Sequence, residues 1–180
     1  MISEEVVNSA LSQIKISSKN NNTDLFCTTR DIFQARVDAY VNRTNKYLES
    51  AVIGEIGNNT FDHNWNYEEG QTRGSYFNPN FMEKYVVLAD FGRGIRDSLA
   101  KVIKADTDTD AVRDAFTKHI SGRAPEQRGN GLKFVSESIA SKKWSLYFQS
   151  GNGCCIIDNG LMRFVDADFS IIGCIAILQF

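Results

Sequence analysis

A five-residue apolar run, Tyr85–Ala89, stops at Asp90 and is followed closely by Gly92 and Gly94. The run contains no charged position that must face water, so it predicts a strand covered on at least one face and favours cover on both. Such a strand lies inside layers of other elements. The chain is therefore expected to fold around a central buried strand, with the carboxylate of Asp90 at its end.

The residues before this strand show apolar side chains at helical spacing. They predict a short amphipathic helix that carries Val7, Leu11 and Ile14, and a second helix that begins near Thr28. A third helix is predicted from about Glu49 to His63. The polar run before Thr28 predicts a mobile connection, so about the first 25 residues are interpreted as a helical extension of a single domain that spans all 180 residues.

The residues after the strand divide into a polar stretch and several short apolar segments. Residues 106–128 carry scattered charge with little periodicity and predict a mobile segment. A helix is predicted to start at Gly131 or Leu132. Residues 150–153, Ser-Gly-Asn-Gly, predict a hairpin turn, since glycine and asparagine tolerate positive φ. The strands predicted around this turn and after it are 144–149, 154–157, 161–165 and 171–180.

This order of helices, one strand, further helices and then several strands predicts an α/β fold. Its expected form is a two-layer sandwich, in which helices cover one face of a mixed, mostly antiparallel sheet. The four cysteines include no Cys-x-x-Cys pair and are predicted to be reduced packing thiols.

Charge and hydropathy argue against several classes of function. Twenty Lys and Arg against 22 Asp and Glu leave a formal charge of -2, which supplies no field that would draw the whole chain to nucleic acid. No apolar stretch approaches the roughly 20 residues of a spanning helix, and the first residues lack the pattern of a signal peptide. We therefore expect a cytoplasmic protein with neither a membrane nor nucleic acid as its partner.

Three segments carry side chains suited to chemistry, and the first lies on the third predicted helix. Glu55, Asn59 and His63 stand at positions i, i+4 and i+8, so they form one polar stripe along the helix. The neighbouring apolar stripe consists of Val52, Ile56 and Thr60. Taken alone, the polar stripe also fits the solvated side of an amphipathic helix.

The second segment, residues 90–95 (DFGRGI), joins the central strand to a new helix. Its glycines allow a ligand to approach the backbone closely, and the carboxylate of Asp90 can accept a hydrogen bond from an exocyclic amine. An ordinary strand-to-helix turn fits the same residues.

The third segment, residues 128–132 (RGNGL), leads into the next predicted helix. The free N–H groups and the positive dipole end at the start of a helix suit a phosphate chain. A plain turn fits this segment as well.

In this order, Glu-x-x-x-Asn-x-x-x-His, Asp-x-Gly-x-Gly and Gly-x-Gly-Leu resemble the N, G1 and G2 boxes of the GHKL superfamily. That superfamily groups the ATP-binding domains of type II topoisomerases, heat-shock chaperones, histidine kinases and mismatch-repair proteins. The resemblance covers roughly residues 49–180 and implies the Bergerat fold, with an ATP lid from about Asp97 to Arg128. It also implies ATP and Mg²⁺ as ligands.

The resemblance assigns roles to individual residues. Asn59 would bind Mg²⁺, and Asp90 would accept a hydrogen bond from the adenine amino group. Gly92 and Gly94 would let the ligand approach the backbone. The other residues implied in the nucleotide site, among them the glycines that would line the triphosphate, are His63, Ile95, Arg128, Gly129, Asn130, Gly131 and Leu132.

Glu55 bears on which branch of the superfamily the chain resembles. Many histidine kinases have asparagine here, whereas the ATP-hydrolysing branches and the small anti-sigma serine kinases have glutamate, which can take a proton from an attacking water or hydroxyl. The resemblance therefore implies an ATPase or an anti-sigma-type protein serine/threonine kinase with Glu55 as its catalytic base.

Nothing that resembles a topoisomerase transducer or a chaperone middle domain follows the third segment. The domain would therefore act on a protein partner or phosphoacceptor, or on itself as a homodimer. The alternative is a non-catalytic, ATP-gated switch whose ordered lid binds a partner protein.

Overall fold

The computed structural model describes residues 2–19, 24–63, 74–118 and 131–180. The helices in these ranges are α1 (Glu4–Lys19), α2 (Arg30–Thr44), α3 (Tyr47–His63), α4 (Gly94–Leu99), α5 (Asp108–Thr117) and α6 (Gly131–Lys142). The strands are β1 (Phe26–Cys27), β2 (Ser75–Asn80), β3 (Tyr85–Asp90), β4 (Ser145–Asp158) and β5 (Leu161–Gln179). None of these helices is long and apolar enough to cross a membrane.

The described strands form one sheet in the order β1-β2-β3-β5-β4, which confirms the predicted α/β class. Every pairing between them is antiparallel, so the sheet lacks the parallel component that the sequence led us to expect. Strand β3 lies between β2 and β5, and its last residue, Asp90, pairs with Cys174. The predicted central strand is confirmed.

Side chains of β3 alternate between two apolar clusters, one on each face of the sheet. Val86 and Leu88 pack with α2, α3, α5 and α6, whereas Val87 and Ala89 pack with α1 on the opposite face. The helical layer therefore covers one face, as predicted. Helix α1, which the sequence suggested to be an extension, covers part of the other face through Val7, Ala10 and Ile14.

Helices α2 and α3 form a closely packed pair that orients the polar stripe of α3. The side-chain oxygen of Thr29 accepts the Ile32 N–H and caps the start of α2, near the predicted position. Helix α2 is followed by its C-cap residue Asn45, whose left-handed φ of 56° turns the chain towards α3. The ring of Phe33 then occupies the space where a side chain on Gly57 would lie. This close contact determines which side of α3 faces the sheet.

The prediction of a mobile segment at 106–128 is wrong for its first half. Residues Asp108–Thr117 form α5, and the Thr107 side chain accepts the Asp110 N–H at its start. The helix is 10 residues long, so its apolar positions cover fewer than three turns and give little periodicity. It nevertheless buries Ala111, Val112 and Phe116 in the core. Helix α5 is thus part of the core rather than of a lid, and residues 119–128 of the expected lid lie outside the described ranges.

Strands β4 and β5 replace the four strands predicted in the last third of the chain. The chain turns between them at Asn159 and Gly160, which have φ values of 49° and 79° and form a two-residue loop. Residues 150–153 form a bulge within β4, so the predicted hairpin turn there is wrong. The Asn152 N–H donates to the Asp108 carboxylate of α5 over 3.1 Å. This tertiary contact helps to hold a glycine-rich stretch in an extended strand.

Candidate functional site

A small pocket with a cavity volume of about 30 Å³ lies between α3 and the middle of the sheet. This space holds about one water molecule and is well below the range of about 300–1,000 Å³ that is usual for ligand sites, so a larger ligand would have to move the walls apart. Its wall is mainly apolar and includes Ile56, Leu88, Ile95, Phe148 and Ala176. The polar side chains at the wall include Asn59, Thr60 and Asp90. An apolar pocket with a few convergent polar groups is the usual form of a small-molecule site.

Asp90 reaches this pocket because it is the last residue of the central strand. One carboxylate oxygen, Oδ1, accepts the Gly92 N–H over 2.7 Å, which fixes the orientation of the side chain. The other oxygen, Oδ2, lies 3.5 Å from the hydroxyl of Thr60, at the outer limit for a hydrogen bond. Thr60 is only 5% exposed. The carboxylate therefore meets the pocket in a defined orientation, beside a buried hydroxyl.

The turn after Asp90 requires glycine at one position. Gly94 has a φ of 75°, and a Cβ atom there would lie 2.8 Å from the Oγ of Ser150. The next residue, Ile95, donates its N–H to that same oxygen over 2.9 Å. Ile95 also lines the pocket, so the predicted glycine segment does border the cavity.

The polar stripe of α3 extends from the pocket towards the start of α6. Asn59 is half-buried at the pocket wall, and Glu55, one turn earlier, is exposed. A Cβ atom on Gly131 would lie 2.5 Å from Oε2 of Glu55, so the first residue of α6 lies against this carboxylate. Leu132, the next residue, is buried in the core on the helical face of the sheet. The first two sequence segments thus meet at the pocket, and the described end of the third, Gly131 and Leu132, lies beside Glu55 of the first and in the core.

Other residues expected in the site lie beyond what the structure describes. Residues 119–130 are outside the described ranges, and they include Arg128, Gly129 and Asn130. His63 is the last residue of α3, and its side chain is also outside the description. The predicted contribution of these residues therefore stays a prediction.

Several residues at the pocket were not identified by their sequence pattern. Thr60 lies on the predicted apolar stripe of α3. Its hydroxyl, next to Asn59 in the sequence, was the feature that could have identified it as a pocket residue. Phe148 and Cys174 come from β4 and β5, far along the chain. Burial of the thiol, together with the negative charge of Asp90, raises the pKa of Cys174 well above its ordinary value. A raised pKa disfavours the thiolate form that a nucleophilic cysteine requires.

The side chains near the pocket suit a metal ion that is shared with a ligand. No group of three or more His, Cys, Asp or Glu side chains in the described ranges could hold a metal on its own. The carboxamide of Asn59 and the carboxylate of Glu55, one helical turn apart, supply hard oxygen atoms. Mg²⁺ uses few protein ligands and takes the remainder from water and phosphate oxygens. These residues therefore fit Mg²⁺ bound together with a phosphate chain.

A second and larger pocket, with a cavity volume of about 360 Å³, lies at the other end of β3 and is bordered by Tyr85. It contains Glu49, a carboxylate from the first turn of α3 that is only 6% exposed. Tyr40 donates its hydroxyl hydrogen to Oε2 of Glu49 over 2.5 Å, and Nζ of Lys46 lies 3.1 Å from Oε1. Burial and the neighbouring Glu49 raise the pKa of Tyr40. Both oxygen atoms of this carboxylate are therefore already bound within the fold.

The first pocket has an oriented carboxylate and mainly apolar walls, and α3 continues from it to an exposed glutamate beside the start of α6. A carboxylate is suited to accept a hydrogen bond, and a helix start is suited to an anion. No protein-family model matches the chain, and no curated protein matches it. Function is therefore inferred from the arrangement of these residues.

Proposed function

We propose that this chain binds Mg-ATP in the pocket between α3 and β3 and transfers the γ-phosphoryl group, as an ATPase or an anti-sigma-type protein serine/threonine kinase of the GHKL type. The observation that carries the proposal is the convergence of three segments that are distant in sequence. Asn59, Asp90 and Ile95 line one pocket, and Gly131 lies against Glu55 at its outer side. The resemblance to the GHKL boxes predicts this convergence, whereas three functionally unrelated segments would not be expected to lie together.

The inner part of the pocket suits adenine. Its walls of Leu88 and Phe148 are apolar and suit the faces of a flat ring, although the cavity of about 30 Å³ would have to widen to admit one. Asp90 is a pure acceptor when ionised, so it can accept a hydrogen from the 6-amino group of adenine. Guanine has a carbonyl oxygen at its 6-position. In the same orientation it would place this acceptor against the acceptor oxygen of Asp90. The pocket should therefore prefer ATP to GTP.

The phosphate chain would extend from the pocket towards α6. The first turn of this 12-residue helix supplies unpaired N–H groups and a positive dipole end. Gly131 has no side chain to obstruct a phosphate. Asn59 would hold Mg²⁺, whose charge offsets that of the phosphate oxygens.

Glu55 is the residue best placed to act as the base. It is exposed, and it stands one helical turn from Asn59, beside the start of α6. In the proposed step it takes the proton from water or from a serine or threonine hydroxyl. The freed oxygen then bonds to the γ-phosphorus as the bond to the β-phosphate oxygen breaks and ADP leaves.

Isothermal titration calorimetry with ATP and GTP tests the adenine assignment. Replacement of Asp90 by Asn presents a mixed donor and acceptor to the amino group, so it should cost about 1–3 kcal/mol of ATP binding, or about 5- to 150-fold in Kd. Asp158→Asn is the matched control, because Asp158 also ends a strand and accepts a hydrogen bond, from Ser145, away from the pocket.

The control variant should bind ATP as the wild type does. Equal wild-type affinities for ATP and GTP, or a folded Asp90→Asn variant with unchanged ATP affinity, would contradict the assignment. Binding of ATP without phosphate release or transfer to any protein would favour the non-catalytic switch.

A further inference from the structure

Three side chains form a row across the sheet at the floor of the pocket. Cys174 of β5 pairs with Asp90 of β3 on one side and with Ser150 of β4 on the other. Directly paired residues of antiparallel strands project from the same face of a sheet. Asp90 and Cys174 both line the pocket, and Ser150 lies one strand farther out. Ser150 is 3% exposed, so its hydroxyl needs partners within the protein.

The partner of Ser150 is the first turn of α4. Arg93, at the N-cap of this helix, makes no side-chain hydrogen bond to the free N–H groups that follow it. Ser150 accepts the N–H of Ile95, the second residue of the helix, over 2.9 Å. A capping side chain normally comes from the residue that precedes the helix. Here Ser150 of β4, 55 positions away in sequence, caps the helix instead.

The same hydroxyl also limits the size of the residue that can occupy position 94, in the turn before α4. Its oxygen would lie 2.8 Å from a Cβ atom on Gly94, so a larger residue there would collide with it. The turn that leaves Asp90 is therefore held at both ends. Asp90 accepts the Gly92 N–H at its start, and Ser150 accepts the Ile95 N–H at its end.

We propose that Ser150 is a positioning residue of the nucleotide pocket, which caps α4 from across the sheet and holds the 90–95 turn in the conformation that binds adenine. This inference rests on the proposed function. Ser150 touches the turn and not the phosphate region, so its role concerns the affinity for the adenosine part of the ligand. Loss of its hydroxyl should weaken adenosine and ATP by the same factor and should raise KM without lowering kcat.

Ser150→Ala and Ser150→Cys test this role together. Alanine removes the acceptor and leaves a small void, while cysteine fills the space with a larger, weakly accepting sulfur, so a loss common to both is due to the hydrogen bond and not to a cavity. Ser145→Ala is the matched control, because Ser145 lies on the same strand, is 8% exposed, and donates its hydroxyl hydrogen to Asp158 instead. Calorimetry with ATP and with adenosine supplies the affinities, and NMR amide exchange in the nucleotide-free protein supplies the protection of the Ile95 N–H.

Both Ser150 variants should bind ATP and adenosine about five- to tenfold more weakly, the size expected for one hydrogen bond. Both should also exchange the Ile95 amide faster, while Ser145→Ala binds both ligands as the wild type does. Wild-type affinity and Ile95 protection in a folded Ser150→Ala variant would overturn the inference. An equal loss of affinity in Ser145→Ala would overturn it as well, because the effect would then be a general loss of stability in β4.

The failure of this inference differs from the failure of the proposed function. If the wild type binds neither ATP nor adenosine, the proposed function is wrong. If the wild type binds both and the Ser150 variants bind them equally well, only the role of Ser150 is wrong.

Discussion

Asp90 and Glu49 are both carboxylates that line pockets at opposite ends of β3, but their surroundings differ. Glu49 accepts the Tyr40 hydroxyl over 2.5 Å and pairs with Lys46, so partners within the fold bind both of its oxygens. Asp90 accepts a backbone N–H on one oxygen over 2.7 Å, and its other oxygen lies 3.5 Å from the Thr60 hydroxyl. The shorter contacts around Glu49 are typical of a group that stabilises the fold.

This difference teaches that a pocket and a carboxylate together do not make a binding site. The pocket at Glu49 has the larger cavity, about 360 Å³ against about 30 Å³. A ligand there would have to compete with Tyr40 and Lys46 for the carboxylate. At Asp90 the Gly92 N–H orients the side chain towards the pocket. Substitutions at the two ends of β3 should therefore affect different properties, binding at one end and stability at the other.

The largest expected effect concerns two glutamates of α3, Glu55 and Glu49, and it tests this comparison directly. Glu55→Ala should lower turnover of ATP by about 10²–10⁴-fold, the usual loss when a general base is removed, while Mg-ATP binding stays nearly intact. Glu49→Gln should leave turnover per folded molecule unchanged, because Glu49 lies at the other pocket. Phosphate release under saturating ATP measures both, and equal losses in the two variants would contradict the separation of roles.

A smaller effect on turnover is expected at Gly131. A Cβ atom there would lie 2.5 Å from Oε2 of Glu55, so Gly131→Ala should displace the Glu55 side chain and lower turnover by about 10- to 100-fold. Gly54 in α3 is the matched control, because a Cβ atom there meets nothing closer than 4.0 Å. Gly54→Ala should keep its turnover and gain about 0.5–1 kcal/mol of helix stability. Equal turnover in the two variants, measured under saturating ATP, would contradict this prediction and show that the Glu55 side chain adapts to the added methyl group.

Stability should respond at the Glu49 end. Glu49→Gln weakens a charge-assisted hydrogen bond and an ion pair at a site that is 6% exposed, so it should lower the free energy of unfolding by about 1.5–3 kcal/mol. Urea unfolding monitored by circular dichroism measures this loss, and calorimetry should show unchanged ATP affinity. Loss of ATP binding in a folded Glu49→Gln variant would break the comparison, because both ends of β3 would then serve the ligand.

The smallest expected effect is the dependence of stability on alkaline pH. The pKa of Tyr40 is raised above its ordinary value of 10.0 by burial and by Glu49. A raised pKa means that the folded state holds the proton more tightly, so this contribution is complete below about pH 10 and is lost as the pH rises further. Tyr40→Phe should lose about 1 kcal/mol at neutral pH and then show a shallower decline in unfolding free energy above pH 10. Parallel alkaline declines in both proteins would show that Tyr40 is not held by Glu49.

Much of the central part of the fold could be predicted, because it depends on contiguous residues. The run 85–89 has no charged position, so it had to be buried, and it is covered on both faces. The polar stripe of α3 follows from helical spacing alone. The sequence suggested that Gly94 lets a ligand approach the backbone, and the structure adds a second reason for glycine there, a φ of 75°.

Other parts depended on contacts that the sequence pattern does not display. Helix α5 is short, and its apolar residues become a core face only when the sheet lies against them. Residues 150–153 have the composition of a hairpin turn, yet Asp108 binds this stretch from α5 and it forms a bulge. Local propensity favours the turn by a small free energy, and tertiary packing outweighs that preference.

The sequence by itself determined where the chemistry-bearing residues stand along the chain. Helical period and strand length place Glu55 and Asn59 on one face and Asp90 at a strand end, because these are short-range geometric properties. Only the tertiary structure decided which distant residues join them. Ser150 caps α4 and Cys174 pairs with Asp90 because the antiparallel register of β3, β5 and β4 brings them into one row. Register depends on the packing of the whole sheet, so no local pattern in β4 or β5 could have identified either residue.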